Sequence, residues 1–326
     1  MSDGRPAAAA AVTPPELILG PCDEMRAELF VRLPVPAGCQ RPRLEGTLTG
    51  PTSRRGITLP AEFRLHDLGP GPAGEWRRAA ARVVCTEPAY WTPEQPARYR
   101  LDLRLCDADD VVARHGGDIG LRRLGVRGRS LWFDGRRWVP RIVAADPAAS
   151  HAAATVCGVT DPDENTLAGA DEAGMPMACL LTDSAPPRAA ARIARWALHP
   201  SVMLVILAAG TSADEAARVA GAAGTSRGTV LLGLTYAGDE PPPDRVPEGI
   251  QVAVVRLAAG GLPHPGWRTG CPLPLLAWRE TETDATRQAC DRLQAELAAW
   301  GLEGGRERLP WDWAGYASVP PHRSPS

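Results

Sequence analysis

Carboxylates close behind strand-like apolar runs are the residues of this sequence best placed to do chemistry. Glu280 ends the run in "CPLPLLAWRETETD", Asp214 and Glu215 follow "LHPSVMLVILAAGTSADE", and Asp146, Asp161 and Asp183 stand near the ends of three others. Two carboxyls gathered in one cleft could serve as a general acid and as a nucleophile or base. Trp278, Arg279, Trp311, Asp312 and Trp313 flank the last two runs and could line a pocket, with tryptophan faces for stacking. The same tryptophans, with Tyr316, would serve equally well as core and seam filling.

The run from Leu198 to Glu215 is notable for what it lacks. Its apolar residues read as a strand buried on both faces, whose end is where an α/β enzyme places catalytic groups, yet Ala208, Ala209 and Gly210 offer no acid, base or nucleophile. Asp214 and Glu215 fall about one turn into the next helix, where the preference for acids at a helix start accounts for them. Asp171, Glu172 and Asp161 read as surface acids and Asp163 as a helix cap.

Other chemistries find no support. There is no G-x-S-x-G elbow, Walker A loop or G-x-G-x-x-G, and "AGAAGTSRGT" (220–229) leaves a helix to enter a strand, the wrong direction for a phosphate cradle. Eight cysteines without a C-x-x-C pair and six histidines without H-E-x-x-H lead us to expect neither metal nor cofactor. A net charge of -2 argues against a nucleic-acid partner; the absence of lysine, with much Ala, Gly, Pro and Arg, reads as codon bias. Apolar stretches fall short of the roughly 20 residues of a membrane span, and "MSDGRPAAAAAVTPPE" is too polar for a secretory signal. A cytoplasmic location is expected.

These residues need elements to hold them. Residues 1–16 read as a disordered leader and 319–326 as a disordered tail. Residues 17–125 alternate with period two between Gly/Pro turns, the pattern of an immunoglobulin-like β-sandwich of about seven strands. From residue 126 to 318, after an Asp134-Gly135 hairpin signal, strand-like runs alternate with helical ones. Strands are predicted at 141–145, 155–159, 175–181, 203–208, 229–236, 250–257, 273–278 and 311–316, and helices at 163–173, 186–197, 213–222 and 283–300. Eight mainly parallel strands argue a (β/α)₈ TIM-type barrel, but one shortened below the roughly 250 residues usual for that fold. "AGDEPPPDRVPEG" and "AAGGLPHPGWRTG", after two of the strands, cannot hold packed helices, since Pro and Gly interrupt every turn.

"EPAYWTPEQPARYRLDLRL" (87–105), "GLRRLGVRGRSLWFDGRRWVPR" (120–141), "GADEAGMPM" (169–177) and "LHPSVMLVILAAG" (198–210), in that order, resemble glycoside hydrolase family 2, which includes β-galactosidases, β-glucuronidases and β-mannosidases. The resemblance spans roughly residues 17–316 and implies a sandwich before a barrel and retaining chemistry from two carboxyls. It further implies an Asn-Glu pair after the His-Pro-Ser-Val strand, where this chain has Ala209 and Gly210, and a nucleophile near the end of the seventh strand, where Glu280 would be a vestige and Arg279 matches equally well by count. The expectation is therefore a degenerate (β/α)₈ barrel and a non-catalytic, pseudoenzyme relative with an interaction, scaffold or sugar-binding role; a carbohydrate is its implied ligand. The alternative is an active retaining β-glycosidase with a relocated general acid. The two strands without helices have outer faces that need a cover, expected from the sandwich, a second copy of the chain in a homo-oligomer, or another protein.

Overall fold

A computed structural model describes residues 14–56, 58–69, 78–144, 155–183, 185–224, 229–281, 286–303 and 313–319. Most of the expected leader and tail, 1–13 and 320–326, lies outside these residues. The chain divides into two compact units, one of 1–51, 59–88 and 99–119, the other of 52–58, 89–98 and 120–326.

The first unit is an antiparallel sandwich. Its strands are β1 (Glu16–Cys22), β2 (Arg26–Pro34), β3 (Pro42–Thr52), β4 (Ala61–Arg64), β5 (His66–Asp67), β6 (Arg78–Thr86), β7 (Arg98–Asp107) and β8 (Asp110–Ile119). They form two sheets, ordered β1-β2-β6-β5 and β4-β3-β7-β8. Alternation decides which side chains go inward: Tyr99, Leu101, Leu103 and Leu105 of β7 are buried while Arg100, Asp102 and Arg104 between them are exposed. Strands β4 and β5 lie in different sheets, β4 beside β3 and β5 beside β6, and are joined at the buried Leu65, whose N–H donates to the Gly46 carbonyl of β3 at 3.0 Å.

The second unit opens with a three-stranded sheet, β9 (Leu124–Arg127), β10 (Ser130–Phe133) and β11 (Arg136–Trp138). Its β10–β11 turn is the predicted Asp134-Gly135, with φ of 48° and 75°, the doubly left-handed geometry that matches strand twist. A closed parallel barrel follows: β12 (Arg141–Ala144), β13 (Val156–Thr160), β14 (Met177–Leu181), β15 (Val202–Leu207), β16 (Leu231–Ala237), β17 (Val252–Leu257), β18 (Leu275–Glu280) and β19 (Gly315–Val319). Its interior holds Ile142, Val156, Leu204, Ile206, Val252, Val254 and Leu276, and the fully buried Leu131 of β10 plugs it.

Among the described residues four helices flank the barrel: α1 (Glu164–Ala173), α2 (Pro186–Trp196), α3 (Ala213–Ala223) and α4 (Arg287–Glu303). Asp163 caps α1 by accepting from Thr166 N, and Ser212 with Glu215 forms a capping box on α3. In α4, Ala289, Leu293, Leu297 and Trp300 are all buried, the stripe their spacing requires.

After β16 no helix forms, and after β17 only a 3-10 turn at Pro265–Arg268, as the Pro and Gly content demands. The outer faces there are nonetheless covered. Ala253, Val255 and Leu257 pack with Trp267, Cys271 and Leu273, and Leu232 and Leu234 with Ile250 and Val246. The expected cover from a partner or the sandwich is thus supplied by the chain's own loops. Trp267, fully buried, is the main filler, and its indole N–H donates to the Glu240 carbonyl at 2.8 Å.

Among the described residues no helix is long and apolar enough to cross a membrane.

Candidate functional site

In a parallel barrel, chemistry belongs at the C-terminal ends of the strands. There, β15 gives way at Leu207 to Ala208, Ala209 and Gly210. Gly210 has φ +90°, a backbone conformation that side chains adopt only under strain, and a Cβ there would meet nothing within 4 Å. Position 210 therefore offers open space but the wrong backbone for a carboxylate. Glu215 is tied back to Ser212, whose N–H and hydroxyl both donate to its carboxylate at 2.9 Å; these bonds hold its carboxyl below the usual range. Asp214 shares the first turn of α3, so both acids serve the helix start.

Strand β18 continues past the predicted end at Trp278 to Glu280, which fixes the direction of its last side chains. Leu276 and Trp278 lie with the barrel-interior cluster, and Glu280 shares their face by the two-residue period. Val252 and Val254 of β17 likewise place Arg256 on the interior face, and Arg256 ion-pairs with Glu280. Trp278 is half-buried below this pair. Sequence reasoning passed over Arg256, although a charge closing an apolar run at two-residue spacing from Val252 and Val254 is a legible signal.

Arg279 points the other way. It is buried on the helix side, paired with Glu296 of α4 and donating to the Gly261 carbonyl at 2.8 Å. Trp313 precedes β19 and packs on Trp300 with ring centroids 6.3 Å apart, in the α4 layer. Trp311, Asp312 and Asp146 lie outside the described residues. Asp161, just past β13, pairs with Arg192 at 2.5 Å and takes the Thr182 hydroxyl; Asp183 pairs with Arg188 at 3.2 Å and accepts from Ala185 N at 3.0 Å. The structure thus brings Trp278, Glu280 and Arg256 together and sends Arg279 and Trp313 elsewhere.

A second polar cluster occupies the opposite, N-terminal rim. Asp171 is not a surface acid: it is buried, accepts from Ser201 N at 2.9 Å and the Ser201 hydroxyl at 2.5 Å, and faces His199 Nδ1 at 2.7 Å. Its position four residues after Leu167 puts it on the buried face of α1. His199 Nε2 meets Glu164 at 2.9 Å. Burial alone would lower the His199 pKa, but the bond to Asp171 and the charges of Asp171 and Glu164 outweigh it and raise the value. This is no Ser-His-Asp triad, because the hydroxyl donates to the carboxylate and not to the ring.

Around this cluster Trp91 donates its indole N–H to the Asp171 carbonyl at 3.0 Å, and Arg122 donates to the carbonyls of Thr229 at 2.6 Å and His199 at 2.7 Å. Burial lowers the Arg122 pKa to about 10. Trp91, Arg122, Asp171, His199 and Ser201 all lie in the quoted motifs, so the strings that carry the resemblance build one clamp beneath the barrel. Among the described residues, no group of three His, Cys, Asp or Glu is gathered to hold a metal ion.

No protein-family model matches the sequence, and no curated protein matches it. Solved structures do match. A glycosyl hydrolase family 2 member from Bacteroides cellulosilyticus aligns with TM-score 0.65 and 13% identity over 95% of this chain and 43% of its own. A β-glucuronidase from Bacteroides uniformis gives TM-score 0.54 and 13% identity over 94% and 45%, and one from Bifidobacterium dentium, complexed with coumarin-3-O-glucuronide, 0.55 and 11% over 94% and 59%. The chain therefore shares the fold of glycoside hydrolase family 2 structures, and spans about half the length of those it matches.

Proposed function

We propose that this chain is a non-catalytic relative of family 2 glycosidases whose barrel mouth binds a carbohydrate without cleaving it. The observation that carries the reading is Gly210: where the resemblance implies a general acid, the chain has no side chain and a left-handed backbone. Loss of a positioned general acid costs roughly 10²- to 10⁴-fold in rate. The remaining carboxylate, Glu280, has its oxygen engaged by Arg256 and so stands as a structural ion pair in the place of a nucleophile. Asp161 and Asp183, the described candidates for a relocated acid, are likewise bonded to Arg192 and Arg188.

The binding half of the proposal rests on Trp278, half-buried under a charged pair at the strand ends, where a ring face and polar groups converge as a sugar requires. The solved structure that holds a glucuronide makes an acidic sugar the first ligand to try. A scaffold role remains as the second reading; the buried outer faces of β16 and β17 leave it without a need for a homo-oligomer or protein partner at those strands. A cytoplasmic location is retained as part of the same proposal.

Calorimetric titration with glucuronic acid, galactose and mannose tests it. Binding of at least one sugar, weakened about tenfold or more in Trp278→Ala, is the expected result. No heat from any of them up to millimolar concentration would remove the sugar-binding role.

A further inference from the structure

A cleft of about 920 Å³ opens at the N-terminal rim of the barrel, the end away from Glu280. Its walls are the starts of β12 to β15, the β10–β11 hairpin and residues 92–94. That volume falls within the range of about 300–1,000 Å³ typical of small-molecule sites.

Its charge is one-sided. Arg55, Arg136, Arg137, Arg141 and Arg287 reach the walls, against two carboxylates, Glu94 and Asp134. Asp134 is already taken by Arg123 at 2.6 Å. Arg141 and Arg287 share Asp291, outside the cleft, at 2.9 and 3.8 Å. Arg55 is held in place by two neutral acceptors, the carbonyls of Pro93 at 2.5 Å and Ala173 at 2.7 Å, which fix the guanidinium without cancelling its charge. Arg136 is exposed on β11 and makes no ion pair or side-chain hydrogen bond among the described residues. Beside these cations the cleft carries a ring surface, Trp138 and Phe133, with centroids 6.0 Å apart and planes tilted by 55°.

We propose that this cleft is a binding site for a small phosphate ester with a ring body, such as a sugar phosphate or a nucleotide. An excess of guanidinium charge suits a group carrying up to about two negative charges better than a single carboxylate, and the planar fork matches phosphate oxygens bidentately. Trp138 supplies the face on which a ring lies. The site is separate from the barrel mouth, shares no residue with it, and does not depend on the sugar-binding reading.

Titration of the full chain with glucose 6-phosphate, ADP and inorganic phosphate separates the sources. One ring-bearing phosphate should bind at least about tenfold more tightly than inorganic phosphate, and Arg136→Glu should weaken it by a similar factor while the circular dichroism spectrum stays that of the wild type. Arg136→Gln, which removes the charge without adding one, reads the same effect should the Glu variant fail to fold. If neither ring phosphate outbinds inorganic phosphate, or if the charge-removing variant binds as the wild type does, the proposal is wrong.

Discussion

A single imidazole shows how much structural work the resembling strings do. His199 is gripped by Asp171 on one ring nitrogen and Glu164 on the other, and its pKa is raised above the ordinary 6.5. The folded chain therefore binds this proton more tightly than the unfolded chain does. The resulting stability is present in full below the unfolded pKa and is lost as pH rises through the folded one. His199→Gln cannot titrate, so urea denaturation should show the gap between wild type and variant widening as pH falls from about 9 to about 5.5. A gap independent of pH would show that the ring is neutral throughout. Gly210 and Asp171 stand at opposite ends of the barrel, the one without a side chain at the mouth, the other a buried carboxylate at the base.

At the scale of elements, the loops after β16 and β17 do the work of the missing helices. Trp267 is the largest side chain sealing β17, and Trp267→Ala should cost about 3–5 kcal/mol by chemical denaturation, since it opens a cavity and leaves the Glu240 carbonyl without its donor. A loss under about 1 kcal/mol would mean that the strand is sealed some other way. Apart from the last strand, which runs over 315–319 and not 311–316, the strands and helices of the barrel were legible because each is a run of one period bounded by Gly, Pro or a cap, as α4 and the Asp134-Gly135 turn illustrate. What was not legible was side-chain direction at strand ends. Ending β18 at Trp278 left Arg279 and Glu280 without a face, and two more residues of strand assign them to opposite ones. The cover over β17 was also hidden, because a Pro- and Gly-rich loop shows its lack of helix locally but shows the burial of Trp267 only in three dimensions. Asp171 was readable from its helical spacing to Leu167, yet a lone acid beside Glu172 resembles surface.

At the scale of the molecule, the contrast between the two rims of the barrel is the main result. The N-terminal rim holds Trp91, Arg122, Asp171, His199 and Ser201 in a dense hydrogen-bonded clamp. The C-terminal rim carries Gly210 and the Arg256–Glu280 ion pair, where we propose that a ligand is held without being cleaved. Such a division follows from the usual separation of roles in barrels, stability below and chemistry above. The most direct test is steady-state hydrolysis of aryl β-galactosides, β-glucuronides and β-mannosides by the wild-type chain alongside Glu280→Gln. The account predicts no turnover above buffer for either protein; turnover by the wild type that Glu280→Gln abolishes would contradict it.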